Sequence, residues 1–307
     1  MSNKILIIGG PTASGKTIIS FKLAEKIDGE IISCDSRQFY KEINIGTDKP
    51  SLSMREKIPH YFIDFLSLKE DFDVYQYSNM VFEKVKEIIS KGKIPIIVGG
   101  SGFYIRVLIN GLFNLSPELK IKQKEIREKL EKETTENLYQ RLKEIDPVCA
   151  EKIHPNDRYR IKRIIEIYDM TGKNMSYWRT QKPEKTLKEI GNIMYFILMR
   201  DRKEIYQRIE KRIEKMFKNG WIEEVKKLKE ESFEKYLNIK APIGYNEILE
   251  FLNNKFDFEE LKKLIIKRTK EYARKQIIWF KKEKGIFINF SDEQEVIEKI
   301  LKVYRND

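Results

Sequence analysis

The residues Gly10-Pro-Thr-Ala-Ser-Gly-Lys-Thr17 follow directly on the apolar run Ile5–Ile8. Their spacing, G-x-x-x-x-G-K-[ST], lets the backbone turn so that successive N–H groups converge on one anion. Lys16 adds a mobile positive charge and Thr17 a hydroxyl for Mg²⁺. A helix beginning near Lys16 points its positive dipole end at the same place. A phosphate or diphosphate is therefore expected on Gly10, Pro11, Thr12, Ala13, Ser14, Gly15, Lys16 and Thr17. The loop alone does not say that the anion belongs to ATP.

Asp35 closes the apolar segment Glu30–Cys34 and opens Asp35-Ser-Arg-Gln-Phe-Tyr40. A carboxylate at a strand end beside a phosphate loop either holds Mg²⁺ through water or acts as a general base. As a bland alternative it simply caps a helix. Ser36, Arg37 and Gln38 can hydrogen-bond base edges, and Phe39 and Tyr40 add aromatic surface, so the segment reads as a nucleobase site. A second glycine turn, Gly99-Gly100-Ser101, ends another apolar run. Arg208 and Arg212 lie one helical turn apart and can clamp a diphosphate, or else pair with Glu204 and Glu210 as a solvated face. Arg158–Arg163 has the same two readings. Around Trp279 and Phe280 lie Arg274, Lys275, Lys281 and Lys282, a mixture that can follow an RNA backbone, although the aromatics read equally as core.

The elements that must carry these groups alternate through the first 110 residues. Strands are expected at Ile5–Ile8, Glu30–Cys34, Tyr61–Phe65 and Ile94–Val98, and helices at Lys16–Ile27 and Val74–Ser90. Strands that are apolar throughout and separated by helices indicate a parallel sheet covered on both faces. Ligands of such sheets gather at the carboxyl ends of the strands. From about Ser116 the texture becomes charged and helical, and Ile193–Met199 restores a strand, after which helices run to the end. The expected architecture is α/β: a phosphate-loop core of parallel sheet flanked by helices, formed by residues 1–115 and 185–307, with an all-helical insertion at 116–184.

The chain of 307 residues has 60 Lys and Arg against 48 Asp and Glu. Residues 1–115 are nearly balanced, so most of the excess falls on 116–307, which suits a polyanion held by the later part of the chain. Two cysteines and two histidines exclude a zinc site or a histidine-based triad. The short apolar start leading straight into the loop is no signal peptide, and no run reaches the roughly 20 apolar residues of a membrane span. These features predict a cytoplasmic protein with no membrane contact.

Taken together, the segments resemble the tRNA dimethylallyltransferases, in their compact bacterial form. The resemblance covers nearly the whole chain: GPTASGKT at 10–17, DSRQFY at 35–40, IGTDKP at 45–50, IPIIVGGSGFYIRVL at 94–108 and DPVCAEKIHPNDRYRIKRIIEIY at 146–168. RIEKRIEKM at 208–216, IGYNEI at 243–248 and YARKQIIWF at 272–280 complete it. Ser101 stands where the family usually has Thr, and Lys275, Ile278 and Lys281 replace residues common in the late motif. The resemblance implies transfer of a dimethylallyl group from dimethylallyl diphosphate to N6 of adenosine 37, next to the anticodon. It gives Asp35 the role of base. It implies that Gly10–Thr17, Lys16 and Arg212 hold the diphosphate, with Mg²⁺ on Thr17. The tRNA is expected on Asp35, Ser36, Arg37, Gln38 and Ser101, and through the insertion on Tyr159, Arg160, Ile161, Lys162 and Arg163. The enzyme is expected to act as a monomer without an obligate protein partner. A small-molecule kinase, a prenyltransferase of free adenine nucleotides and a non-catalytic RNA-binding protein remain the competing classes.

Overall fold

The computed structural model describes residues 3–112, 117–183 and 185–306, with backbone alone for 117–121. The expected boundary at residues 115 and 116, and Glu184 at the other, lie outside the described residues. The chain divides into two compact units, Met1–Asn110 with Thr186–Asp307, and Gly111–Lys185.

In the first unit six strands form one sheet in the order β3-β2-β4-β1-β5-β6, every pairing parallel. They are β1 (Lys4–Gly9), β2 (Gly29–Ser33), β3 (His60–Tyr61), β4 (Ile94–Gly99), β5 (Asn192–Met199) and β6 (Ile286–Asn289). The apolar run of β1 is explained by burial on both sides, because alternate side chains face opposite layers. Ile5 and Ile7 pack with Tyr77, Val81 and Ile105, whereas Leu6 and Ile8 pack with Ile19, Leu23 and Ile297. The helix after β1, Lys16–Ile27, thus covers one face, and the helix after β4, Gly102–Asn110, covers the other. Neighbouring strands whose helices leave to opposite faces open a crevice at their carboxyl ends. The Gly10–Thr17 loop and the Gly99–Ser101 turn flank that crevice.

Two expectations are corrected here. The strand expected over Tyr61–Phe65 is only His60–Tyr61, because Phe62 (φ 61°) and Asp64 (φ 56°) take left-handed conformations that end the ladder. Asp64 then accepts from Lys49 and Arg55, each at 2.5 Å. Conversely, β6 was not expected among the late helices.

The second unit has its own core of Leu130, Leu138, Leu142, Cys149, Ile161 and Ile165, contributed by helices including Pro117–Lys132, Thr135–Ile145 and Arg158–Thr171. Thr134 and Asp157 cap two of these helices through their side chains, and Gly172 ends the last in a left-handed turn. Among the described residues no helix is long and apolar enough to cross a membrane.

Candidate active site

β1 delivers the chain to Gly10, where a Cβ would lie 2.4 Å from the Leu198 carbonyl oxygen. Only glycine passes there. Ala13 (φ 62°) and Gly15 (φ 98°) are left-handed, so the loop curls back before helix Lys16–Ile27 starts. That helix has no side-chain cap, which leaves first-turn N–H groups for an anion. The loop is gripped from outside by side chains distant in sequence. Gln276 accepts from Thr12 N–H at 2.9 Å and donates to Gly100 O at 2.9 Å, tying the two glycine turns together. Arg200 Nε donates to Ser14 O at 3.1 Å and Arg208 Nε to Ala13 O at 2.9 Å. Lys16 Nζ folds back onto Pro11 O at 2.7 Å.

Asp35 stands just beyond β2, in a turn where Arg37 N–H donates to its Oδ1 at 3.0 Å. The close approach of β2 and β4 sets this corner: a Cβ at Gly99 would fall 1.9 Å from Cys34 O. Lys16 is pulled down to about 8, first by the burial of its ammonium, with Asp35 opposing and Arg212 reinforcing the shift, and Asp48 opposing it more weakly. The strand-end carboxylate, the helix arginine and Asp48 therefore all lie close enough to act on the charge of the loop lysine. Arg212, on helix Arg202–Lys218, reaches Asp48 Oδ2 with Nη1 at 3.2 Å. Tyr272, on helix Phe258–Phe280, is raised to about 12 by burial and then by the charge of Asp35. Ser101 Oγ accepts weakly from Ser36 N–H at 3.4 Å.

Several residues singled out in the sequence have other employment. The Gln38 amide is spent inside the fold, accepting from Ser33 Oγ at 2.9 Å and donating to Thr47 O and Asp48 O at 3.3 Å. Phe39 is buried in a core against the sheet and Tyr40 in the helical core with Ile205, Ile209 and Trp221, so neither is presented to a base. Arg37 donates to Lys240 O. The glutamates set against Arg208 and Arg212 pair elsewhere, Glu204 with Arg200 and Glu210 with Lys270. Phe280 is buried and ends its helix, so Lys281 and Lys282 lie beyond it.

Within the second unit, Tyr159 is 81% exposed while Ile161 is fully buried in that unit's core. Ile161 therefore supports its helix and is corrected as a contact residue. Arg160, Lys162 and Arg163 pair with Asp157, Glu131 and Glu166.

Three residues of the site were not assigned from sequence. Gln276 had a signal: with Thr269, Ala273 and Phe280 it forms the buried stripe of its helix, and a polar group there must have a buried partner. Arg200 directly follows a strand, much as Asp35 stands just beyond one. Asp48 had none. A shallow cleft of about 690 Å³, lined by Asn3, Lys188 and Asn192, opens at the amino ends of β1 and β5 and holds none of these groups.

A parallel sheet with a glycine-rich strand-to-helix loop and a carboxylate beyond the strand at β2 defines an α/β protein with its cleft at the carboxyl edge. The model of the IPP transferase family matches residues 38–283. The tRNA dimethylallyltransferase of Thermotoga petrophila is 40% identical over 303 residues, 98% of this chain and 97% of that protein. The crystal structure of the tRNA delta(2)-isopentenylpyrophosphate transferase of Staphylococcus epidermidis aligns with 99% of each chain, at 32% identity and a TM-score of 0.68. A eukaryotic dimethylallyltransferase acting on tRNA aligns with 99% of this chain and 80% of its own, at 28% identity and a TM-score of 0.83. The chain belongs to the IPP transferase family.

Proposed function

We propose that this protein transfers the dimethylallyl group of dimethylallyl diphosphate to N6 of adenosine 37 of tRNA, releasing pyrophosphate. The observation that carries the reading is the meeting of Lys16, Asp35 and Arg212 in one electrostatic neighbourhood at the carboxyl edge of the sheet. The similarity to tRNA dimethylallyltransferases and a tRNA isopentenylpyrophosphate transferase supports the donor and the acceptor. The adenine amine is a poor nucleophile because its lone pair is delocalised into the ring. Asp35 takes the N6 proton as the N–C bond forms, an assistance worth about 10²–10⁴-fold. As the C–O bond breaks, its electron pair stays on the diphosphate, and the loop amides, Lys16 and Arg212 stabilise that charge. The base leaves its stack to reach Asp35, at a cost of a few kcal/mol. Ser36 and Ser101 flank the place where it would sit, and exposed Tyr159 offers a stacking surface for the RNA.

Mg²⁺ fits this donor set only together with the donor. Thr17 is exposed at the start of its helix and supplies one hydroxyl, while no three His, Cys, Asp or Glu converge among the described residues. The remaining ligands would be diphosphate oxygens and water. When bound, the ion neutralises diphosphate charge.

The test is transfer of label from dimethylallyl diphosphate to unmodified tRNA and, in a parallel tube, to AMP. Label in tRNA alone is expected. Asp35→Asn should remove transfer by at least about 10²-fold while tRNA affinity stays within about twofold. Label in AMP, or ATP-dependent phosphorylation instead, would sink the reading.

A further inference from the structure

Asp48 ends the 3-10 turn Ile45–Thr47 in a left-handed conformation, φ 53°. That turn is fastened from several directions. Asn44 and Ile45 donate to Glu224 Oε2 at 3.2 and 3.1 Å, and Gly46 N–H donates to the Tyr245 hydroxyl at 3.2 Å. Gln38 holds the carbonyls of Thr47 and Asp48, and Lys49 holds those of Tyr40 and Ile43 at 2.7 and 2.6 Å. The place of the Asp48 carboxylate is therefore set by the fold. Its side chain is 57% exposed, and its partner Arg212 is 23% exposed. Arg212 Nε is buried with no hydrogen-bond partner among the described residues, so Asp48 meets only one part of a guanidinium that can bind an anion more fully.

We infer that Asp48 is an internal counter-anion for Arg212: it occupies the guanidinium while no diphosphate is bound, yields it to the donor, and reclaims it as pyrophosphate leaves. The inference rests on the diphosphate reading of the loop. A partly exposed pair with a single contact is weak, so a polyanion displaces it readily. When the bond to the allylic carbon breaks, the electron pair stays on the diphosphate, which gains one negative charge. Asp48 therefore opposes the product more strongly than the donor, and favours release.

Asp48→Asn separates the charge from the backbone, because Asn also tolerates the left-handed region. Titration calorimetry with inorganic pyrophosphate should show the variant binding about two- to fivefold tighter than wild type. Product inhibition by pyrophosphate should strengthen by the same factor, with a smaller change in KM for dimethylallyl diphosphate. Equal or weaker pyrophosphate binding by a variant that keeps the wild-type Tm overturns the inference while leaving the proposed function standing. Lys16→Ala is the control for the reading beneath it. If that variant binds pyrophosphate as wild type does, the anion is not in the loop and both fall.

Discussion

At the scale of single residues, the lowered Lys16 makes a prediction about pH. With its proton lost near pH 8 instead of the usual 10.5, the unliganded protein above pH 8 offers the loop without its charge. Binding of pyrophosphate must then return the proton, so calorimetry at pH 8.5 in buffers of different ionisation enthalpy should register proton uptake. Affinity should fall as the pH rises through 8 to 10. Lys16→Arg, which cannot deprotonate in this range, should flatten the fall relative to wild type. Absence of uptake in wild type would mean that the amine is already charged in the free protein. The sign for folding is the opposite one. Between about 8 and 10.5 the unfolded lysine holds a proton that the folded one has lost, so this group's contribution to stability rises with pH across that window.

At the scale of elements, the corner where β2 and β4 meet decides where Asp35 stands. Gly99→Ala puts a methyl 1.9 Å from the Cys34 carbonyl oxygen and must spread the two strands. It should cost about 3 kcal/mol or more, and lower activity in whatever protein remains folded. Gly92→Ala is the comparison: its φ is +73° but nothing lies within 4 Å, so it should cost only about 1 kcal/mol. Urea unfolding of both variants separates collision from backbone strain, and equal losses would remove the close-approach argument. This contrast also marks what could be read from the chain. The buried strands and the Gly10–Thr17 loop were legible because a strand covered on both faces must be apolar throughout and a tight strand-to-helix loop must carry glycine. β6 was not, because it is a four-residue edge strand whose apolar run, Ile286–Ile288, is short and lies among charged helices, with Ile288 alone buried. The shortened β3 was hidden as well: nothing in Tyr61–Phe65 announces that Phe62 and Asp64 take positive φ. Lys16 and Asp35 could be named from type and spacing, and Arg212 was chosen over Arg208 only by the family resemblance, whereas the roles of Asp48 and Arg200 emerge when residues well over a hundred positions apart are brought together.

At the scale of the whole molecule, charge distinguishes the two substrates. The excess of 60 basic over 48 acidic side chains lies mostly beyond residue 115, whereas the diphosphate cleft draws on the loop, Lys16 and Arg212 within one unit. A tRNA held through many phosphates releases counterions as it binds, so its affinity should fall by about 10²-fold or more between 50 and 200 mM salt. Pyrophosphate in a partly buried cleft is screened far less. Raising salt should therefore raise KM for tRNA steeply, leave kcat nearly unchanged, and move KM for dimethylallyl diphosphate little. Charge reversal on the second unit, for example Arg160→Glu, which removes an exposed guanidinium paired with its neighbour Asp157, should reduce the slope of log affinity against log salt by about one contact. A slope unchanged by that substitution would take Arg160 out of the RNA interface. A slope near zero in the wild-type protein would mean that the basic excess serves solubility, and the acceptor would then have to be recognised through the base and the cleft alone.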